Sequence, residues 1–479
     1  MSSMPDHTHY RSPLETRNAS AEMLTIWSPQ RKFSTWRRLW LALAEGEKQL
    51  GLRITDEQIA QLAEHLDDID FQKADEYERR FRHDVMAHIH TYGDAAPAAR
   101  EIIHLGATSQ FVNCNTELML LRDSLQLVSA KLAAVVIQLG NFALEYRDLP
   151  TLAFTHFQPA QPTTVGKRAA MWAQELILCR ERLEHTRSTL KMRSIKGATG
   201  TQASFLDLFH GDAEKVYALE KFICDRFGFD STYPATGQTY PRVVDAMVLS
   251  DLACTAAALH KLCSDLRLLA HRKEIEEPFE KDQVGSSAMP YKRNPMRCER
   301  ATGLCRFVMN LAGNAYDTAA TQWLERTLDD SANRRLSLPE SFLALDGALD
   351  ICGNVTLGLV VYEKTITRNL LAELPFMASE NLMMKAVQLG RDRQQVHEAI
   401  RRHARDAAQR VKNDGADNDL LDRLRSEPLL EGVDIDAETD PKQFIGLAPQ
   451  QVERFHKQYI QPLIQKYPDY AARVPKLRV

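Results

Sequence analysis

Several features of secreted, membrane-spanning and metal-binding proteins are missing from this sequence. Its eight cysteines include no C-x-x-C pair, the spacing typical of metal and redox sites. There is no run of about 18 uncharged apolar residues, as a membrane-spanning helix needs. The polar start MSSMPDHTHYRSP lacks the apolar core of a signal peptide. We therefore expect a cytoplasmic protein with reduced thiols and no membrane partner.

An excess of one charge is missing too. The chain has 60 Lys and Arg against 64 Asp and Glu, a formal net charge of −4. General nucleic-acid binders and proteins that bind membrane surfaces carry a basic excess, so we expect neither kind of partner. Any recognition of an anionic ligand must come from local clusters of cations.

Strand patterns and nucleotide-loop motifs are also absent. No alternation of apolar and polar residues continues beyond four positions, and no internal repeat or low-complexity tract occurs. The glycine-rich piece 197–201 follows no predicted strand and opens no long helix, so it does not fit a phosphate-binding loop. The sequence therefore predicts an all-α protein.

Long helical periodicity is the main positive signal. Between 115 and 149 apolar residues recur at alternating steps of three and four, over about three and a half heptads without a proline. Helical patterns also occupy 165–190, 243–270, 296–312 and 340–361. Long helices with narrow apolar stripes pack as near-parallel bundles.

The chain length and these patterns predict three helical domains. A chain of 479 residues is too long for one compact core. We expect an N-terminal helical domain at 1–110, a long-helix bundle at 111–361 and a C-terminal helical domain at 362–479. Apolar outer faces on the central helices predict a homo-oligomer, with the bundle assembling into a larger helical core.

One polar stretch fits neither the helix nor the strand period. Residues 285–295 read GSSAMPYKRNP. Gly285 frees one backbone position, and Pro290 and Pro295 prevent regular hydrogen bonding. A mobile loop that leads into a helix after Pro295 is predicted. In general such a loop is a solvated linker, but its hydroxyls, cations and amide suit closure over an anionic ligand.

The string SSAMPYKRNP closely resembles the signature loop of the fumarate-releasing lyases, in the version found in animal adenylosuccinate lyases. The resemblance runs from Arg11 to about residue 420 and is most specific at 153–168, 285–300 and 325–335. It implies cleavage of adenylosuccinate to AMP and fumarate, and of succinylaminoimidazole carboxamide ribotide (SAICAR) to AICAR and fumarate, in purine nucleotide biosynthesis. It also implies a homotetramer with a twenty-helix core and active sites shared between subunits.

Eliminating fumarate requires a base, fixed donors for the developing charge and a general acid, but no metal or other cofactor. The resemblance assigns the general acid to His156, which lies in THFQPAQP. It assigns the base to Ser286, with Lys292 favouring the ionised hydroxyl and His83 assisting proton transfer. An alternative stays open, in which Ser286 donates a hydrogen bond and His83 takes the proton.

The resemblance also implies a substrate-binding set of mainly arginine, hydroxyl and amide side chains. Without it, the RHD triplet at 82–84 is a solvated charge cluster, and 324–335 is a polar helix start. The family has Tyr where this chain has Asn18, next to Arg17. The implied set is Arg17, Asn18, Arg82, His83, Asp84, Thr108, Ser109, Gln238, Asn294, Arg300, Arg326, Ser331 and Arg335.

Two other functions are alternatives to this one. A sister lyase acting on argininosuccinate has no phosphate to bind, so the pair Arg326 and Arg335 disfavours it. An inactive structural scaffold is the second alternative, and the presence of both His156 and Ser286 disfavours it. A metal enzyme is not indicated, because His88 and His90 are two residues apart and face different sides of a helix.

Overall fold

The computed structural model describes residues 8–477, and it confirms the all-α prediction. The helices, in chain order, are α1 (Ala21–Ile26), α2 (Pro29–Gln49), α3 (Asp56–Glu64), α4 (Phe71–Phe81), α5 (Asp84–Ala95), α6 (Ser109–Glu145), α7 (Val165–Thr189), α8 (Ala203–Leu208), α9 (Ala213–Arg226), α10 (Val243–His271), α11 (Met296–Ala320), α12 (Asp330–Leu357), α13 (Glu363–Met377), α14 (Ser379–Gln388), α15 (Arg393–Asp414), α16 (Leu420–Arg425), α17 (Ile435–Glu438), α18 (Ala448–Phe455), α19 (Gln461–Lys466) and α20 (Pro468–Ala471). Four short strands are β1 (Pro150–Thr155), β2 (Gln158–Thr164), β3 (Ile275–Glu276) and β4 (Val360–Val361).

The five long helices α6, α7, α10, α11 and α12 form the predicted bundle. The longest, α6, has 37 residues and spans about 55 Å at about 1.5 Å per residue. Its buried face continues the heptad pattern of the sequence, with Leu118, Leu125 and Leu132 fully buried.

Contacts between side chains fix the helix directions. Glu117 near the start of α6 meets Arg334 near the start of α12, at 2.9 Å, and Gln138 accepts from Thr356 near their ends, at 2.7 Å. Therefore α6 and α12 run parallel. Ser250 of α10 contacts Tyr316 of α11 at 2.6 Å, so those two run antiparallel. We call the end where α6, α10 and α12 begin the upper end, and the end where they finish the lower end.

Side-chain caps mark where several helices begin. The Ser28 hydroxyl accepts the Arg31 amide at the start of α2, and Thr164 accepts the Lys167 amide at the start of α7. Thr55 and Gln58 form a reciprocal capping box at the start of α3. Each cap satisfies an amide that has no partner within its helix and contributes about 1 kcal/mol.

The stretch THFQPAQP at 155–162 has the prolines and polar residues of an irregular loop, but it belongs to an antiparallel hairpin in which β1 and β2 pair. Its two turn residues, His156 and Phe157, have φ of 53° and 57°, as a two-residue type I′ turn requires. Pro150, Pro159 and Pro162 hide the strand signal in the sequence. They are tolerated because both strands of a two-stranded ribbon are edges.

Helix α12 begins at Asp330, ten residues before the predicted start of that run. Pro339 lies inside the helix, although proline removes a backbone donor and usually marks a helix boundary. The α12 residues before Pro339 are the ones that reach the upper end of the bundle.

Two hydrophobic cores lie in the described part of the chain. The larger one joins the N-terminal helices, the bundle and the late residues Val452 and Ile460. The smaller one is formed by residues between Ala378 and Ile435, from α14–α17 and their neighbours. Helices α18–α20 pack against α6 and α7. The three-domain division stays a prediction.

Helices α6 and α10 are long and apolar enough, by length and composition, to cross a membrane. Within their most apolar windows, 83% of the α6 residues and 56% of the α10 residues are buried in the protein. Because core helices of soluble proteins pass the same test, this finding is weak evidence for a membrane span.

A buried carboxyl on α2 yields a prediction about stability. Glu47 is fully buried, and neither of its side-chain oxygens has a hydrogen-bond partner among residues 8–477. Burial raises the pKa of this carboxyl from its ordinary 4.5 to about 9. The folded state therefore holds a proton that the unfolded chain releases above about pH 4.5, so this group lowers stability increasingly as the pH rises toward 9.

We predict that Glu47→Gln, which cannot ionise, raises the free energy of unfolding relative to wild type. The gain should be near zero at pH 4.5 and on the order of 2–4 kcal/mol at pH 7. Urea unfolding across this pH range measures it. Glu45→Gln is the control, because Glu45 is partly exposed and pairs with Arg226. A gain that does not depend on pH would contradict the prediction.

Candidate active site

A polar cavity of about 700 Å³ opens at the upper end of the bundle. It is lined by residues from α4, α5, α6 and α12 and from the loops before α10 and α12. Nine of the residues implied by the sequence line it together: Arg82, His83, Asp84, Thr108, Ser109, Gln238, Arg326, Ser331 and Arg335.

His83 caps the start of α5 and faces the start of α6. Its Nδ1 accepts the Met86 amide at 3.3 Å, and its Nε2 lies 3.3 Å from the Ser109 hydroxyl oxygen. Because Nδ1 is an acceptor, the neutral ring carries its proton on Nε2. In this arrangement His83 presents an N–H donor to the cavity, not a free acceptor. Arg82, just before it, adopts a left-handed conformation with φ of 55°.

Arg326 is held from two sides at the cavity wall. Its Nη1 donates to the Gln238 side-chain oxygen at 3.0 Å, and its Nη2 lies 3.7 Å from the buried carboxylate of Asp330. When the Gln110 side-chain oxygen is turned toward Arg326, it accepts a further hydrogen bond of 2.8 Å from Nη1. These contacts fix the guanidinium plane before any ligand arrives.

Arg335 and Ser331 lie one turn apart on α12 and face the cavity together. Arg335 Nη2 donates to Asp84 Oδ2 at 2.8 Å, while Asp84 Oδ1 accepts the Val85 amide. The Arg335 side chain remains 58% exposed, so it stays accessible to an anionic ligand.

A buried ion network supports the cavity from below. Arg334 donates to Asp245 at 2.8 Å and to Glu117 at 2.9 Å, which ties α12 to α10 and α6. Arg242 donates to Asp330 at 2.9 Å. Burial acts to raise the pKa of the Glu117 carboxyl, but Arg334 and Arg242 lower it below its ordinary value. The network therefore holds its charges as pairs.

The predicted signature loop lies at the opposite, lower end, just before α11. Asn294 Nδ2 donates to the Gly285 carbonyl at 2.7 Å and closes the loop on itself. Ser286 Oγ accepts the Met289 amide at 3.1 Å. A side chain at Gly285 would meet the Lys292 carbonyl at 2.1 Å, so only glycine fits this closure.

Arg300, Arg17 and Asn18 form a second group of predicted residues on the same side of the bundle. Arg300, one turn into α11, donates through Nε to the Asn18 side-chain oxygen at 3.0 Å and through Nη2 to the Arg17 carbonyl at 2.9 Å. Asn18 thus contacts an arginine where the family has an aromatic side chain.

His156 lies at the tip of the β1–β2 hairpin and is exposed. The hairpin follows the lower end of α6 and packs against α13. Phe154 on β1 lies under the guanidinium of Arg272, which follows α10. His156 therefore extends from the lower end of the bundle, away from the cavity.

Within one chain the predicted residues are thus not all brought together. The cavity residues lie at the upper end, and Ser286, Lys292, Asn294, Arg300 and His156 belong to the lower end. Helix α11, which has 25 residues and is about 37 Å long, connects the lower end to the upper end.

Several cavity residues are not indicated by any sequence pattern described above. Glu78, Gln110 and Asn113 also line the cavity. Asn113 follows Ser109 by one helical turn, so the two residues share a face of α6. The apolar pattern of the sequence begins only at 115, so it does not reveal this shared face. Glu78 gives no such signal, because it belongs to a highly charged segment.

His88 is a core residue. Its ring stacks on the Phe33 ring, with 3.7 Å between the two ring centres, and burial lowers the pKa of His88 to about 4. Among residues 8–477, no group of three or more His, Cys, Asp or Glu side chains has the arrangement of a metal site.

The chain matches known proteins over nearly its whole length. A family model described as lyase matches 39–310, and one described as adenylosuccinate lyase C-terminus matches 375–455. The chain is 50% identical to the adenylosuccinate lyase of Saccharomyces cerevisiae over 98% of both chains. It is 45% identical to that of Schistosoma mansoni, also over 98% of both.

Among solved structures, the fold is similar to that of 3-carboxy-cis,cis-muconate lactonizing enzyme from Pseudomonas putida. The TM-score is 0.81 with 23% identity, over 96% of this chain and 99% of that one. That likeness supports the helical fold alone. The relatives at 45–50% identity carry the assignment further, and the chain belongs to the adenylosuccinate lyase family.

Proposed function

We propose that this protein eliminates fumarate from adenylosuccinate, giving AMP, and from SAICAR, giving AICAR. Family membership and the upper cavity together support the proposal. The cavity combines three arginines, several hydroxyls and amides, and a histidine N–H donor. Both substrates carry a ribose phosphate and a succinylamino group, so one set of contacts serves both.

The nucleotide phosphate would bind Arg326, Ser331 and Arg335. Guanidinium groups match phosphate oxygens with paired hydrogen bonds, and a hydroxyl adds a neutral donor. Arg326 is already oriented by Gln238, so little ordering is required on binding. A phosphate-binding group of this kind has no use in a lyase acting on argininosuccinate.

The succinyl arm would bind Thr108, Ser109 and His83. Negative charge develops on the carboxylate beside the carbon that loses its proton, and fixed donors stabilise it. The Nε2–H of His83 suits that role, with Arg82 and Asp84 beside it. In the present arrangement His83 has no free acceptor nitrogen for the proton.

Ser286 would therefore act as the base and His156 as the general acid that protonates the leaving nitrogen. A serine hydroxyl is a weak base unless its ionised form is stabilised. The Met289 amide already donates to Ser286 Oγ, and the Lys292 cation lies in the same loop. Asn294 keeps the loop closed, and Arg300, with Arg17 and Asn18, would add contacts to the substrate.

Because the proposed catalytic groups lie at opposite ends of the bundle, we infer that each active site needs more than one subunit. We propose a homotetramer in which the lower end of one chain completes the cavity of another. Exposed apolar side chains support this arrangement. Trp323, Leu324 and Leu328, beside the cavity, are 71%, 96% and 70% exposed, and Met171 and Met247 project from α7 and α10. We place this enzyme in purine nucleotide biosynthesis in the cytoplasm.

Ser286→Ala is predicted to lower kcat for adenylosuccinate by at least about 100-fold, because the base is lost. AMP should bind as in wild type, since the phosphate contacts lie elsewhere. The ultraviolet spectral change from adenylosuccinate to AMP measures turnover, and inhibition by AMP measures binding. Ser287→Ala is the matched control and should stay near wild type. Normal turnover by Ser286→Ala would reject Ser286 as the base.

Mixing two inactive variants tests the shared sites. His83→Ala alters the upper end and Ser286→Ala the lower end. Subunit exchange in an equal mixture should restore about a quarter of wild-type activity, because random association leaves about one site in four with both residues intact. A mixture of His83→Ala and Arg326→Ala, both upper-end variants, should recover nothing. No recovery in the first mixture would place a complete site in each chain.

A further inference from the structure

The chain forms a single π-helical turn at Leu14–Asn18, which we call the N-terminal turn. Turns of this kind are rare and lie frequently at functional sites. Its last two residues, Arg17 and Asn18, belong to the set implied to contact the substrate. Arg300 of α11 holds one side of the turn through the Asn18 side-chain oxygen at 3.0 Å and the Arg17 carbonyl at 2.9 Å. The turn also lies against α12.

Asp346 of α12 anchors the chain just after the N-terminal turn. Its Oδ2 accepts the Ser20 amide at 2.7 Å, and its side chain is fully buried. The Ser20 hydroxyl accepts the Met23 amide and so caps α1. Hydrogen bonds to an ionised group are about twice as strong as neutral ones. Ser20 therefore ties the N-terminal turn and α1 firmly to α12.

Lys131 of α6 holds the Asp346 carboxylate in place. Its buried ammonium lies 2.5 Å from Asp346 Oδ1 and 2.9 Å from Asp350 Oδ2. Asp350 also has a second cationic neighbour, Arg473, at 3.6 Å. A buried carboxylate needs its oxygens paired, and for Asp346 the Ser20 amide supplies the partner that Lys131 alone does not. The buried charges of α6 and α12 thus favour the docked position of the turn.

Gly347, the next residue of α12, allows the close approach of the turn. A Cβ atom at this position would lie 2.8 Å from the Asn18 carbonyl oxygen and 3.0 Å from the carbonyl carbon. Glycine in a helix interior costs about 1 kcal/mol relative to alanine. Helix α12 therefore carries its unfavourable residue at the point where the N-terminal turn rests on it.

The docked turn lines a cavity of about 420 Å³, in which Asn18 and Arg300 face the same space. Arg300 lies one turn into α11, and α11 directly follows the signature loop at 285–295. The contacts with α12 consequently determine where Arg17 and Asn18 stand relative to Arg300 and to the helix that carries this loop.

We propose that Asp346, Gly347 and Lys131 are positioning residues that hold the N-terminal turn in the geometry needed for substrate binding. They act through the turn and contact no reacting atom. This inference rests on the proposed function, since the ligand that the turn would contact is the substrate of that reaction. Its effect belongs to substrate binding and not to the chemical step, because the proposed base and general acid lie in other segments.

Gly347→Ala is the main test, because it removes no charge and places a methyl group against the turn. It should raise KM for adenylosuccinate about tenfold and change kcat less than about twofold, since binding contacts are lost while the proposed base and general acid remain. Thermal unfolding should stay near wild type, because alanine favours the helix interior.

Asp346→Asn and Asp350→Asn form a matched pair. Each removes one negative charge beside Lys131, but only Asp346 bonds to the Ser20 amide. Asp346→Asn should raise KM at least about fivefold, because a neutral acceptor holds the amide more weakly. Asp350→Asn should keep a KM near that of wild type. This pair decides the question if Gly347→Ala does not fold.

Combining substitutions separates positioning from a general structural effect. Arg17→Ala should raise KM by itself, because a substrate contact is lost. Adding Gly347→Ala to it should raise KM less than about twofold further, since residues that act through one contact are not additive.

A wild-type KM in Gly347→Ala or in Arg17→Ala would overturn the inference. So would independent, multiplicative effects of these two substitutions, or equal changes for Asp346→Asn and Asp350→Asn, or a fall in kcat as large as the rise in KM. A wild-type protein that does not cleave adenylosuccinate would instead overturn the proposed function, so the two failures are distinguishable.

Discussion

The rigid length of the central helices is the constraint on which the rest of the structure depends. Helix α11 alone separates the signature loop from the upper cavity by about 37 Å. The groups proposed for the elimination are divided between the two ends: the cavity holds the anion-binding donors, and the lower end holds Ser286 and His156. We propose that an active site forms where copies of the chain pack with opposite ends together.

The upper cavity depends in turn on the buried ion network beneath it. Arg334 and Arg242 connect α6, α10 and α12 at the level where these helices begin. Asp330 belongs to this network and also approaches Arg326 in the cavity wall. Breaking such a buried pair leaves an uncompensated charge. The packing of the three helices and the orientation of Arg326 are therefore coupled through a few side chains.

The sequence predicted the helices well where the apolar heptads continue without interruption, as in α6 and α10. It failed where local chemistry obscures the pattern: the prolines of β1 and β2 hide a hairpin, and Pro339 hides the first turns of α12. Nine of the residues implied by the signature motifs line the upper cavity together. The motifs could not indicate Gln110, because its contact with Arg326 joins segments far apart in the sequence.

The distribution of site residues between the two ends was also invisible in the sequence, since a motif carries no information on helix direction. The proposed activity depends on the completion of each cavity by another copy of the chain. A structure of the assembled protein with AMP and fumarate bound tests it most directly. We predict AMP against Arg326 and Arg335 of one subunit, covered by loop 285–295 of a different subunit. A ligand-filled cavity that no second subunit contacts would contradict the account.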